Sequence, residues 1–406
     1  MAVYSPTPHK GNFLHWLLAS MLFTGVLYVT VQLNTFTKWF SHIEPFVSPD
    51  AGWNPDPVAG INGRRTHSST ILGGGEGIAA CLLIMDDNHF LIEWLAYHFY
   101  YLPLRRLIVA VDPKSKTSPK SILDRYQSRG LINITIWNDD DFFPFDELQK
   151  LETNQLQVYL ARQQYFILQC TKQLKQEQWT WATHIDTDEF VLPNRDAHPA
   201  YHVVDTNRTV YSILTQSPQK EYWENRTVPS SCHPMIRLDM GIKVSSDEEA
   251  NQRVPNGLFN GSHFLTFRFR WPQYTGKGSM LPPGKAFLDL SRVPSTDLRM
   301  GNTNPHRIIK NHCKLFIDSR HSPFLVYHYA GTFEQFSYRV DGRNSRSRDE
   351  YNLRYFDEHS SRADDGATFW LGRFVEEMGI ELASLLLDGV GELESEPMIM
   401  SKKISK

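Results

Sequence analysis

The sequence predicts an α/β fold, a mostly parallel sheet with helices on both faces. Two observations carry this. From Ile78 onward, apolar runs of strand length alternate with longer stretches that are apolar along one helical face. Such a succession gives parallel strands joined by right-handed crossovers. Acidic residues also stand where these runs end (Asp86, Asp87, Asp112 and Asp186), and that edge is where open α/β sheets receive ligands.

The elements follow in order. Ile78 to Met85 is a continuous apolar run. Asp86, Asp87 and Asn88 then offer N-caps to a helix whose apolar face is Leu91, Trp94, Leu95, His98, Phe99 and Leu102. Leu107 to Val111 is a second strand, ending in Asp112. Ser118-Pro119 opens a helix that Gly130 stops, and Ile132 to Trp137 is a third strand. One long helix is expected from Asp146 to Glu177, before a short buried strand from Trp181 to Ile185. Phe369 to Leu387 reads as a helical tail, after a basic loop at Arg343 to Arg348.

Before the folded body, Phe13 to Leu33 contains no Asp, Glu, Lys or Arg. About 20 apolar residues in a helix span a bilayer, so residues 13–33 are expected to be a retained transmembrane anchor behind a short tail, 1–12. A cleaved signal peptide is the rival, but no small-x-small site follows. Residues 34–77, rich in Pro, Gly, Ser and Asn from Glu44, read as a stem. Gly73 to Gly77 lacks the preceding strand and the Lys-Ser/Thr pair of a phosphate loop. Lys10 and Lys38 nearly balance across the span. Glycosylation acceptors at Asn133, Asn207, Asn225 and Asn260 favour a lumenal body. The expectation is a single-pass type II protein of the Golgi or endoplasmic reticulum membrane.

The chain has 406 residues, 41% hydrophobic, with a formal net charge of -3. That is enough for a substantial core, and it gives no basic surplus of the kind a nucleic-acid backbone would require. The four cysteines, Cys81, Cys170, Cys232 and Cys313, can pair in three ways that sequence does not separate; Cys81 and Cys170 read equally as buried thiols.

The stretch His184-Ile185-Asp186-Thr187-Asp188-Glu189-Phe190 concentrates the chemistry. In extended backbone Asp186 and Asp188 point to one side and can converge on a hard cation, with Glu189 turned away. Together with Asn88, Glu93-Trp94-Leu95 and Tyr97-His98 on the first helix, and with Arg270-Trp271-Pro272, Asn304-Pro305-His306, Tyr327-His328-Tyr329 and Phe333-Glu334-Gln335-Phe336 downstream, this pattern resembles glycosyltransferase family 92 and the related family-2-like transferases. The resemblance covers about Ile78 to Gly342, loosely between Asp196 and Phe267.

That resemblance implies the GT-A fold over residues 78–342, followed by a C-terminal extension, 343–406. It implies transfer of a sugar such as galactose from a UDP-sugar to a glycan hydroxyl, with inversion, assisted by Mn2+ or Mg2+. A bound divalent ion would stabilise the departing diphosphate. Asp186 and Asp188 would hold the ion, and His328 matches the histidine that completes the shell. Asp112 would accept from uracil or ribose, and Asp87 serves the same pocket or an N-cap. Lys285 and Lys277 would neutralise the second phosphate. Trp271 and Tyr274 suit stacking on an acceptor sugar or equally belong to the core, Gly276 belongs to the aromatic-glycine turn beside them, and His306 is an acceptor or phosphate contact or a plain loop histidine. No general base is assigned: Asp247, Glu248 and Glu249 read as a solvated loop, and Glu334 as a helix start. The alternative to an enzyme is a non-catalytic lumenal protein of the same fold that binds glycan or nucleotide sugar.

Overall fold

The first strand, β1 (Ile78–Ile84), shows how the layers form. Its alternate residues face opposite ways: Ile78, Ala80, Leu82 and Ile84 join one apolar cluster, and Ala79 and Cys81 join another. The sheet is therefore buried on both faces. The structure, a computed structural model, describes residues 77–151, 154–197, 209–215, 231–273, 280–281, 284–306, 308–313, 317–318, 322–338 and 362–393. The expected anchor, the stem up to Glu76, the basic loop at 343–348, Tyr274, Gly276, Lys277 and the acceptors Asn207 and Asn225 lie outside the described residues. Among those residues no helix is long and apolar enough to cross a membrane.

After β1 come α1 (Asn88–Tyr101), β2 (Leu104–Val111), α2 (Lys120–Gln127), β3 (Asn133–Trp137), α3 (Asp139–Phe142), α4 (Phe145–Leu151) and α5 (Gln155–Gln176). The strands β4 (Trp181–His184) and β5 (Glu189–Pro193) flank the acidic stretch; α6 (Thr209–Thr215) and β6 (Cys232–Met240) follow. Then come α7 (Asp247–Asn251), α8 (Leu265–Arg268), β7 (Met280–Leu281), β8 (Lys285–Asp289), β9 (Ile317–Asp318), β10 (Phe324–Tyr329) and α9 (Phe333–Tyr338). Two last helices, α10 (Trp370–Met378) and α11 (Ile380–Leu386), close the described chain.

Eight strands form one sheet in the order β3-β2-β1-β4-β8-β6-β10-β5; β7 and β9 pair separately. Six of the eight strands run one way, as a mostly parallel sheet requires, and the other two make it mixed. β3, β2, β1 and β4 are mutually parallel and β6 is parallel to β10, but β8 runs antiparallel to both β4 and β6, and β5 antiparallel to β10. The alternation of strands and helices, which produces parallel pairs, ends at β4. Beyond it β5 follows after a short turn, and the later strands of the sheet enter from longer connections without the βαβ repeat.

Three elements differ from the sequence reading for local reasons. The long helix is two: Asn154 caps α5 by accepting from the Gln157 N–H at 3.1 Å, so the chain restarts there. The tail breaks at Gly379, whose φ of 76° lies in the left-handed region. α1 is buried on every side rather than on one face, because α10 covers its outer surface; Tyr97 meets Trp370 and Tyr100 meets Phe374 edge-on. Trp370, Leu371, Phe374, Ala383 and Leu386 belong to the same core as α1.

All four cysteines are paired, Cys81 with Cys170 and Cys232 with Cys313. The reading of Cys81 and Cys170 as buried thiols is thereby corrected: β1 and α5 pack face to face and bring the two sulfurs together. Each bond closes a long loop, a constraint on the unfolded chain of about 4 kcal/mol in the chain-entropy account.

Candidate functional site

The turn from β4 to β5 places the acidic stretch at the carboxyl ends of β1 and β4. The Asp186 N–H donates to Glu189 Oε2 at 2.9 Å and the Glu189 N–H to the Asp186 carbonyl at 3.1 Å, so the turn is tied at both ends. Glu189 is therefore not turned away, as extended backbone would have it. Its side chain folds back into the turn and is fully buried.

Lys285, on β8, answers this burial. Its ammonium lies 2.9 Å from Asp186 Oδ2 and 3.1 Å from Glu189 Oε2, and the residue is 1% exposed. The sequence reading gives it a diphosphate to neutralise; the structure places it inside the sheet as the counter-charge of two acids. Burial opposes its charge, and the carboxylates of Asp186 and Glu189 prevail and raise its pKa. Burial likewise opposes the charge on Asp186, but the Lys285 ammonium holds that carboxyl at about 2. Gly284 lets β8 come this close, since a Cβ there would stand 2.3 Å from the Arg237 Cβ.

Asp188 faces another way. Its Oδ2 lies 3.6 Å from His328 Nε2, and His328 Nδ1 donates to Asp239 Oδ1 at 2.8 Å. Asp239 and Arg237 stand two apart on β6, hence on one face, with Arg237 Nε donating to Asp239 at 2.8 Å. Arg237 Nη2 also approaches His328 Nδ1 at 2.9 Å; both nitrogens are donors here, so this is a close approach held by the shared carboxylate. Burial and Arg237 lower the His328 pKa, but Asp188 and Asp239 outweigh them and carry it to about 9.

The expected trio of Asp186, Asp188 and His328 thus divides, Asp186 on Lys285 and Asp188 with His328. Among the described residues no three His, Cys, Asp or Glu side chains converge as a cation site. The remaining donor pair still fits a divalent ion. One carboxylate oxygen and one imidazole Nε2 face each other, and a carboxylate on the far nitrogen fixes the ring, the usual support of a metal-binding histidine. Ions of the Mg2+ class take few protein ligands and complete their shell with substrate phosphates.

The other expected residues fall around this centre. Asp112 accepts from Arg162 Nη1 at 3.2 Å and from the Lys114 N–H at 2.9 Å, so its carboxylate shapes the loop after β2 rather than standing open. Asp87 receives the Met85 N–H at 3.2 Å and makes no side-chain cap to α1. Its neighbour Asp86, at a φ of 57°, instead collects Ser115 Oγ and the Thr117 N–H. Trp271 is buried, with Lys243 Nζ 4.5 Å from its ring centre, so the expected exposed sugar platform is not formed there. His306 donates from Nδ1 to the Gly284 carbonyl at 2.8 Å and borders Lys285, which together with burial lowers its pKa. Asp247, Glu248 and Glu249 are the first turn of α7, with Ser246 and Glu249 forming a capping box, not a free loop.

Sequence reasoning missed Arg237, Asp239 and Arg162. The alternation Arg237-Leu238-Asp239 on a strand was the available signal for the first two; nothing local marks Arg162, whose partners Asp139 and Asp112 are 23 and 50 positions away.

The fold and site define an α/β protein with a mixed eight-stranded sheet and a dense charged cluster at one edge. No protein-family profile matches the chain, and no curated protein matches it. Among solved structures it matches the galactosyltransferase LgtC in complex with donor and acceptor sugar analogues, at 10% identity over 76% of this chain and 95% of that one, with a TM-score of 0.21. At that TM-score the likeness supports no argument about fold or activity.

Proposed function

We propose that the chain is a membrane-anchored glycosyltransferase of the GT-A type. It would move a sugar, galactose first among candidates, from a UDP-sugar to a glycan hydroxyl with inversion. The observation that carries this reading is the line Asp188–His328–Asp239 beside Arg237. A carboxylate and an oriented imidazole at the ligand-binding edge of an α/β sheet suit a diphosphate's counter-ion, and a guanidinium beside them suits its oxygens.

Asp188 and His328 would hold a divalent ion, which when bound supplies positive charge to the departing diphosphate. Asp239 orients His328, and Arg237 presents the second cation that a diphosphate needs. Lys285 neutralises Asp186 and Glu189, holding the turn that carries Asp188. Two supports favour a lumenal body. Residues 13–33 lack charged side chains, and all four cysteines are consumed in disulfides, as in oxidising compartments.

The test is UDP release from a panel of UDP-sugars, with Mn2+ and with chelator, for wild type and Asp188→Asn. Metal-dependent release that Asp188→Asn abolishes supports the proposal. UDP-sugar binding without release in any condition would point instead to a donor-binding protein that does no chemistry.

A further inference from the structure

We propose that Asn133 carries an N-linked glycan that guards the open edge of the sheet. β3 is the terminal strand on one side. Its sequence, Asn-Ile-Thr-Ile-Trp, is β-branched, aromatic and uncharged. It has none of the lysines or prolines that blunt an exposed edge, so it is a template for another chain's strand.

The opposite edge is protected from within. On β5 the Tyr97 hydroxyl donates to the Val191 carbonyl at 2.9 Å, and His98 Nε2 accepts the Val191 N–H at 3.4 Å. On β3 two side chains reach carbonyls, Gln127 to Ile134 at 3.0 Å and Arg106 to Asn133 at 3.3 Å. No described side chain bonds a β3 amide N–H. Asn133 stands exposed at the head of this strand, and its side-chain amide bonds no described residue. Thr135, which completes the acceptor tripeptide, is held in place by Arg106 Nη1 at 2.9 Å.

The attachment joins Asn133 Nδ2 to the anomeric carbon of a lipid-diphosphate-linked oligosaccharide. The lipid diphosphate leaves, and one amide proton is lost. A bulky, solvated substituent at that point excludes a second strand from the edge. This rests on the lumenal reading above.

The test expresses the full chain through a eukaryotic secretory route. The peptide spanning 131–138 is read by mass spectrometry after enzymatic deglycosylation in heavy-oxygen water. Asn133→Gln and Thr135→Ser are compared, the latter keeping both acceptor pattern and hydroxyl. Labelled aspartate at 133 is expected in wild type and Thr135→Ser. Asn133→Gln should be lighter by one glycan and shift toward self-associated species in light scattering. An unmodified 131–138 peptide overturns the proposal. Thiols at Cys81 and Cys170 in the same sample would overturn the lumenal reading as well. A modified Asn133 whose removal leaves self-association unchanged overturns the guarding role.

Discussion

Lys285 holds a charge inside the sheet only because Asp186 and Glu189 stand within 3.1 Å. Removing one member of a buried charge group leaves the others uncompensated, at about 3–5 kcal/mol. Lys285→Met should lower unfolding free energy by that order in urea titration, and adding Glu189→Gln should recover part of it. Asp239 has a different duty. Its bond fixes the ring of His328, so Asp239→Asn should weaken Mn2+ binding about 10–100-fold, measured by calorimetric titration, with unchanged circular dichroism. Glu93 supplies a pH dependence away from the site. Burial raises its pKa from 4.5 to about 7, against the bonds it accepts from Leu265 and Thr266. The folded state then binds a proton that the unfolded chain has released, so stability falls as pH rises from 4.5 to about 7. The slope has a ceiling of about 1.4 kcal/mol per pH unit. Denaturant midpoints from pH 5 to 7 should show this decline, and Glu93→Gln should flatten it. None of these pairings is visible along the chain: Glu93 meets Thr266 across 173 positions.

At the scale of elements, local pattern was a good guide where repetition was strong. β1, α1, β2, α2, β3 and β4 stand where the apolar periods place them, because an unbroken βαβ succession leaves one way to bury both faces. The guide weakened after β4. Whether a strand such as β8 enters parallel or antiparallel depends on the path of its connection, not on its own residues. The break between α4 and α5 was legible in principle, since Asn154 is a strong cap residue, but the surrounding helical period masked it. The Cys81–Cys170 bond fastens β1 to α5. Replacing both cysteines by Ala should cost about 2–5 kcal/mol in thermal or denaturant unfolding, even though no site residue changes.

Over the whole molecule, one core extends from β1 to the final helices. Trp370 is 1% exposed, touches Tyr97 and Phe264, and donates to Thr266 Oγ1 at 3.2 Å. Trp370→Ala should therefore destabilise the body by about 3–5 kcal/mol, measured by urea unfolding, although the sequence suggests a mere appendage.

By itself the sequence determined the α/β layering of the first half and put acids at the strand ends, because period and spacing are local properties that neighbouring residues enforce. The tertiary structure decided which acid meets which cation. Lys285 reaches Asp186 across 99 positions, and Asp239 reaches His328 across 89. Electrostatic partnership is set by distance through space and by burial, and neither can be read from position in the chain.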